Sequence, residues 1–281
     1  GYDISRARIE ELSAGKSYIS DVPTPELQKH LAAGTFVPTN NSSKIAECDV
    51  VVICVPTPLS KAKDPDLRAI ISATETVTAQ LRSQQLIVLE STTYPGTTEE
   101  VLLPKLSGKG LKVGKDFHLA FSPERIDPGN TEFNIRTITK VVGGVTPNCT
   151  EVAKLFYQQF VDTVVPVSNP RIAEASKLLE NTFRSVNIGL ANEMALICDR
   201  LDINVWEVID AAATKPFGFM AHYPGPGIGG HCIPLDPHYL SWKARLSGYE
   251  PKFISLATEI NGAMPHHVVD IVSRALNDES K

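Results

Sequence analysis

The sequence predicts a doubly wound, parallel-sheet (Rossmann-like) α/β domain over residues 1–168, followed by an all-helical domain over 169–281. Short apolar, β-branched runs alternate with helix-length segments through Val167, a pattern that calls for a parallel sheet covered on both faces. From Asn169 the texture changes to long helical periodicity. A chain of 281 residues also exceeds what one core ordinarily reaches, roughly 250 residues, so two units are expected.

The chain opens on Gly1-Tyr2-Asp3-Ile4, and a helix is expected from about Ser5. In a nucleotide-binding βαβ unit, the second strand ends on an acidic residue that takes the ribose hydroxyls, and the glycine-rich turn comes earlier. Asp3 fits that strand end, so the first strand and its glycine fingerprint are expected upstream of Gly1. Asp3 also reads as a helix N-cap, and Arg8 as either a cofactor contact or a solvated helix face. Strands are then expected at Asp49–Val55, Leu86–Glu90, His118–Phe121, Lys140–Val142 and Thr163–Val167. Helices are expected at 66–83, 98–106 and 147–160 between them, then at 171–201, 205–213, 237–245 and 251–276.

Composition narrows the function. A net charge of -5 argues against a nucleic-acid partner. The apolar runs fall far short of the ~20 residues a spanning helix needs, so no membrane role is expected. Five cysteines without regular spacing do not form a disulfide framework and suit a reducing cytoplasm, and no metal-ligand cluster is present in the sequence. Cys48, Cys54 and Cys198 read as buried small hydrophobes, and Cys149 as a helix-start residue.

Cys232 differs from these four. It lies in GPGIGGHCIPLDP, where glycines at 225, 227, 229 and 230 admit close approach of a ligand and prolines at 224, 226, 234 and 237 shape the loop. The thiol reads as a nucleophile or as core packing. Two strand ends add polar groups at the sheet edge where α/β folds bind ligands: Thr57 after Pro56, and Ser91 with Thr92. Turn capping explains each of these alone. Lys177 and Asn181 lie four apart in the long helix and share a face.

Together, GIGGHCIPLDP, ESTTYPGTTE, SPERIDPG and ASKLLENTFR resemble the UDP-glucose/GDP-mannose dehydrogenase family over the whole chain. The resemblance implies an NAD-dependent four-electron oxidation of a UDP-sugar at C6, supplying precursors of surface polysaccharide. It implies Cys232 as the nucleophile that holds aldehyde and thioester, with Lys177 and Asn181 stabilising oxyanions. Glu124 would assist hydrolysis through water, Asp236 would orient a water or the lysine, and Thr92 would hold that water or the nicotinamide side. A helix N-cap remains the rival role for Asp236. Implied cofactor contacts are Asp3, Arg8, Pro56, Thr57, Ser91 and Thr92. Implied substrate contacts, besides Glu124, Lys177 and Asn181, are Arg125, Arg184, Tyr223, Gly225, Gly227, Ile228 and Gly229. The stretch 215–244 looks most like the branch that oxidises UDP-N-acetylglucosamine, and its departures from other branches favour an N-acetylhexosamine. Against the family pattern the chain also lacks a second nucleotide-binding domain after Lys281. The long helix from Arg171 is expected to pair two subunits. A cysteine hydrolase without cofactor, and a catalytically silent nucleotide-sugar binding module, are the competing functions.

Overall fold

The computed structural model describes the chain apart from residues 20, 128, 131, 231, 280 and 281. It forms two compact units, one of Gly1–Pro56, Leu67–Thr92 and Gly96–Glu174, the other of Thr57–Asp66, Thr93–Pro95 and Ala175–Lys281. This division falls inside a helix at Glu174, and two short loop segments group with the helical unit.

The first unit opens with Gly1–Asp3 running beside Val37–Thr39, joined by Thr39 N to Gly1 O at 2.8 Å and Asp3 N to Thr39 O at 3.2 Å. Helix α1 (Arg6–Ser13) comes next, with the Ser5 hydroxyl accepting from Arg8 N. Helix α2 (Thr24–Ala32) and a 3-10 turn at Ser42–Glu47 were not legible in the pattern, and each buries a single residue, Leu27 and Ile45.

Five strands form one sheet in chain order: β1 (Val50–Ile53), β2 (Leu86–Leu89), β3 (His118–Phe121), β4 (Lys140–Gly144) and β5 (Val164–Val167). Strand β2 is buried along its whole length, and its side chains alternate between two cores. Ile87 and Leu89 join Ile70 and Val77 of α3 (Arg68–Gln80) together with Leu102 and Leu106. Leu86 and Val88 join Ala153 and Tyr157 of α5 (Pro147–Tyr157). This double burial is what an apolar run without polar interruption requires. The expected all-parallel sheet needs one correction. β3 and β4 pair antiparallel, with Ala120 opposite Gly144 and Phe121 opposite Gly143. The described residues between them form no helix that could carry a crossover, so the chain simply turns back.

The helix expected at 98–106 begins as a wide π turn at Thr98–Leu102 and becomes α4 (Leu103–Ser107) only afterwards. Pro104 has no N–H to give to the carbonyl of Glu100, which interrupts the regular ladder there. The buried carboxylate of Glu174 closes the start of this turn, accepting from Gly96 N at 2.5 Å, Thr98 N at 2.9 Å and Thr98 Oγ1 at 2.7 Å. Burial pushes Glu174 up to about 7 against those three donors.

Helix α6 (Pro170–Leu201) begins in the first unit and runs on through the second. Asn169 Oδ1 accepts from Ile172 N and Pro170 occupies the first position, a preformed helix start. The second unit adds α7 (Val205–Ala213), α8 (Asp236–Leu246) and α9 (Lys252–Glu279). At Gly189, α6 approaches α9 so closely that an added Cβ would meet Ala257 at 3.3 Å. Among the described residues, no helix is long and apolar enough to cross a membrane.

Two cysteine assignments are overturned: Cys48 and Cys54 are exposed, whereas Cys149 and Cys198 are buried. Cys54 lies just past the last residue of β1, so the apolar run that surrounds it in sequence does not enclose it in space.

The contact between β4 and α5 depends on missing side chains. A Cβ on Gly144 would lie 2.2 Å from Thr150 N and 2.5 Å from Cys149 C, both backbone atoms that cannot step aside. Gly144→Ala is expected to lower unfolding free energy by about 3 kcal/mol, read from urea denaturation, through overpacking.

Candidate active site

In the second unit, α6 presents Lys177 and Asn181 one turn apart, and both are buried. Asp236 is the first residue of α8 and is 2% exposed. Asn181 Nδ2 donates to Asp236 Oδ2 at 2.5 Å. Burial raises the Asp236 carboxyl, while the Lys177 ammonium and the Asn181 amide act against that rise. The N-cap reading of Asp236 is corrected: Leu235 holds that position, no side chain caps the helix, and the carboxylate serves Asn181. Cys232 is exposed one turn earlier, and its carbonyl accepts from Leu235 N at 3.0 Å and Asp236 N at 2.8 Å. The thiol and the buried carboxylate are thus tied through a single tight turn.

The glycine loop is held by amides that the sequence reading missed. Gly225 N donates to Asn192 Oδ1 at 2.9 Å, Asn192 Nδ2 to Asn261 Oδ1 at 2.8 Å, and Asn261 Nδ2 to Ser185 O at 3.1 Å. Asn192 and Asn261 are buried polar groups in apolar helical periods, which is the signal that marks them. Gly227 has φ +117°, and a Cβ there would meet Asn261 O at 3.2 Å and Pro265 Cδ at 3.6 Å. Pro265 lies inside α9 and cannot donate to the Asn261 carbonyl, the carbonyl that Gly227 approaches. Ile228 lines a pocket of about 320 Å³ with Ser185, Leu235, Pro237 and Thr258. Gly229 is exposed, and a Cβ there would meet nothing within 4 Å. Tyr223 donates to Asp210 Oδ1 at 2.9 Å and stacks on Trp206 with ring centroids 5.8 Å apart, and Arg184 is exposed on α6. Thr57 also belongs to this unit, its carbonyl accepting from the buried Tyr239 hydroxyl at 3.0 Å.

In the first unit, Glu124 comes after β3, and its Oε1 accepts from the amides of Arg125 and Ile126 at 2.7 Å each. Its Oε2 meets Lys140 Nζ at 3.0 Å, and Lys140 also reaches Glu90 Oε1 at 2.9 Å. The Tyr157 hydroxyl donates to Glu90 Oε1 at 2.5 Å. Burial works to raise Glu124, but Lys140 and the two amides outweigh it and hold the carboxyl below its usual range. Around the same cluster, burial followed by the Glu90 charge raises Tyr157. Lys140, Glu90 and Tyr157 were not singled out in the sequence. A lysine opening an otherwise apolar strand was the available signal. Arg125 Nη1 is bound to Thr139 O at 2.7 Å.

At the nucleotide edge, Asp3 Oδ1 accepts from Ser5 N at 2.8 Å and Oδ2 pairs with Arg8 Nη1 at 3.3 Å. Ser5, not Asp3, caps α1. The Asp3 side chain remains 30% exposed, so its carboxylate retains lone pairs for sugar hydroxyls and fits a dinucleotide ribose. Ser91 is buried, donating to Ile53 O at 3.3 Å, Thr92 is half-buried and Pro56 is exposed.

A doubly wound unit with this edge, and a helical unit with an exposed cysteine one turn ahead of the buried Asp236, define a class of dinucleotide-binding proteins. The chain belongs to the UDP-glucose/GDP-mannose dehydrogenase family, with residues 1–161 matching its NAD-binding domain and 171–263 its central domain. It is 38% identical to UDP-N-acetyl-D-glucosamine 6-dehydrogenase of Pseudomonas aeruginosa over 98% of this chain and 65% of that protein. It is 40% identical to Protein CapL of Staphylococcus aureus over 98% of this chain and 64% of that protein. Among solved structures, the UDP-D-ManNAc dehydrogenase of Pyrococcus horikoshii superposes with a TM-score of 0.93 at 35% identity, covering 100% of this chain and 66% of that one. The chain thus spans about 65% of the length of the curated relatives it matches.

The amide relay gives a test of loop pinning. Asn192→Ala leaves the Gly225 amide and the Asn261 side chain without their partner, and is expected to cost about 2 kcal/mol in urea denaturation. Faster hydrogen exchange at the Gly225 amide should accompany that loss.

Proposed function

We propose that the protein carrying this chain is an NAD-dependent nucleotide-sugar 6-dehydrogenase that oxidises the C6 hydroxyl of a UDP-N-acetylhexosamine, UDP-N-acetylglucosamine foremost, to the uronic acid. The observation that carries the reading is the buried set of Lys177, Asn181 and Asp236 one turn from the exposed Cys232 thiol. Family membership and the names of the relatives support it. The structural neighbour named for UDP-D-ManNAc keeps the mannosamine epimer as the second candidate sugar.

NAD, when bound, supplies the hydride acceptor for both oxidations. Asp3 would accept from the adenosine ribose, with Arg8, Pro56, Thr57, Ser91 and Thr92 as further contacts. Cys232 adds to the C6 aldehyde as a thiohemiacetal, which prevents its escape. Oxidation of that adduct leaves a thioester on the same sulfur. Lys177 and Asn181 stabilise the oxygen that becomes negative at C6, and Asp236 holds the Asn181 amide in place for this. Glu124 accepts a proton from the water that attacks the thioester carbonyl, the C–S bond breaks, and Cys232 leaves as thiolate. Arg125, Arg184, Tyr223 and the loop through Gly225, Gly227, Ile228 and Gly229 bind the sugar and diphosphate.

The subunits are proposed to pair through α6, which exposes Ile172, Leu179, Phe183, Leu190, Ile197 and Leu201. Light scattering of the full-length protein at micromolar concentration should give the dimer mass, and a monomer would refute the pairing. Cys232→Ser in the full-length protein should abolish acid formation. Acid produced at the wild-type rate, with two NADH per sugar, would overturn the mechanism. A panel of UDP-GlcNAc, UDP-ManNAc, UDP-GalNAc and UDP-glucose, followed as NADH formation, should rank UDP-GlcNAc first.

A further inference from the structure

Lys140 belongs to none of the motifs that pointed to the site, and it is 5% exposed. Its position is a product of the reversed strand. Because β4 runs antiparallel to β3, its first residue lies at the edge where β3 ends, and continuing the register from Phe121–Gly143 brings Lys140 level with Glu124. A parallel strand would have delivered its first residue to the opposite edge. Nζ spans two carboxylates, Glu90 at the end of β2 at 2.9 Å and Glu124 at 3.0 Å, and lies 5.2 Å from the centroid of the Tyr157 ring. The other Glu124 oxygen is held by two backbone amides.

We propose that Lys140 is a positioning residue for Glu124: its bridge to Glu90 and Glu124 fixes the Glu124 carboxylate in place and keeps it ready to take the proton of the water that cleaves the Cys232 thioester. The inference rests on the role given to Glu124 under the proposed function. The groups that bear on Glu124 are Lys140 of β4, Glu90 after β2, Cys54 after β1, Tyr157 of α5 and its own neighbour Arg125. Lys140 is the cation that opposes the desolvation of Glu124. Removing it takes an opposite charge from 3.0 Å, so Glu124 should hold its proton to higher pH. Removing Glu90 does the reverse, because Lys140 then serves Glu124 alone and a nearby negative charge is gone.

The full-length protein is compared with E124Q, K140M, K140R and E90Q, with UDP-GlcNAc and NAD as substrates. The readouts are the pH dependence of steady-state turnover and the intact mass of the protein during turnover, which reveals acyl adduct on Cys232. K140M is expected to accumulate the adduct at neutral pH and to move the acid limb of the profile up by about one unit, the size expected for loss of one close opposite charge. K140R should restore the limb, and E90Q should move it down. Should K140M fail to fold, the downward shift in E90Q decides. E124Q trapping the adduct while K140M and E90Q keep the wild-type limb would overturn the role of Lys140 and leave that of Glu124 intact. E124Q turning over at the wild-type rate would remove the role of Glu124, and with it that of Lys140.

Discussion

Strand β2 has no side chain facing water. Leu86 to Leu89 send alternate residues into two separate cores, one built with α3 and α4 and the other with α5. A slip of one residue would exchange the two sets between cores of different shape, so the register of β2 with β1 and β3 is held from both faces. The segment leaving that strand is therefore fixed in place: Glu90, Ser91 and Thr92 depart from the sheet at a defined point, and Glu90 meets Lys140 and Tyr157 there.

The same edge collects charge because β4 and β5 run opposite to β1, β2 and β3. Had all five strands run alike, only carboxyl ends would meet at that edge. The reversal of β4 brings an amino end, and with it a lysine, among the carboxylates of Glu90 and Glu124. A buried ammonium between two carboxylates is stable only if its donors are satisfied, and here the Tyr157 ring face adds to the two ion pairs. In the helical unit the balance is made differently. At Asp236 the loss of water outweighs the Lys177 ammonium and the Asn181 amide, so its carboxyl is raised where that of Glu124 is lowered.

Much of this was legible in sequence because the signals are local. The five strands are apolar runs bounded by polar residues, α6 opens on Asn-Pro, and the loop around Cys232 declares itself by glycine and proline content. The features that escaped are non-local. Glu90 and Tyr157 come together across 67 residues of chain, with Lys140 between them, and no spacing rule joins the three. The strand reversal after Phe121 has no period of its own, since an apolar strand reads the same in either direction. Cys48 and Cys54 were misread for a related reason: apolar neighbours in sequence do not bury a residue at the end of a strand. Asn192 and Asn261 were hidden by the helices that carry them, where a polar residue at a core position shows only once the core is known.

Pro265 inside α9 bears on how this loop can diverge. Gly227 faces the Asn261 carbonyl, to which Pro265 cannot donate, and it has a backbone angle that side chains rarely adopt, so drift at 227 demands a new path for both segments at once. Gly229, two residues on, opens onto empty space. Sequence variation in the loop is thus channelled away from the residue pressed against the helix and toward the one that faces outward.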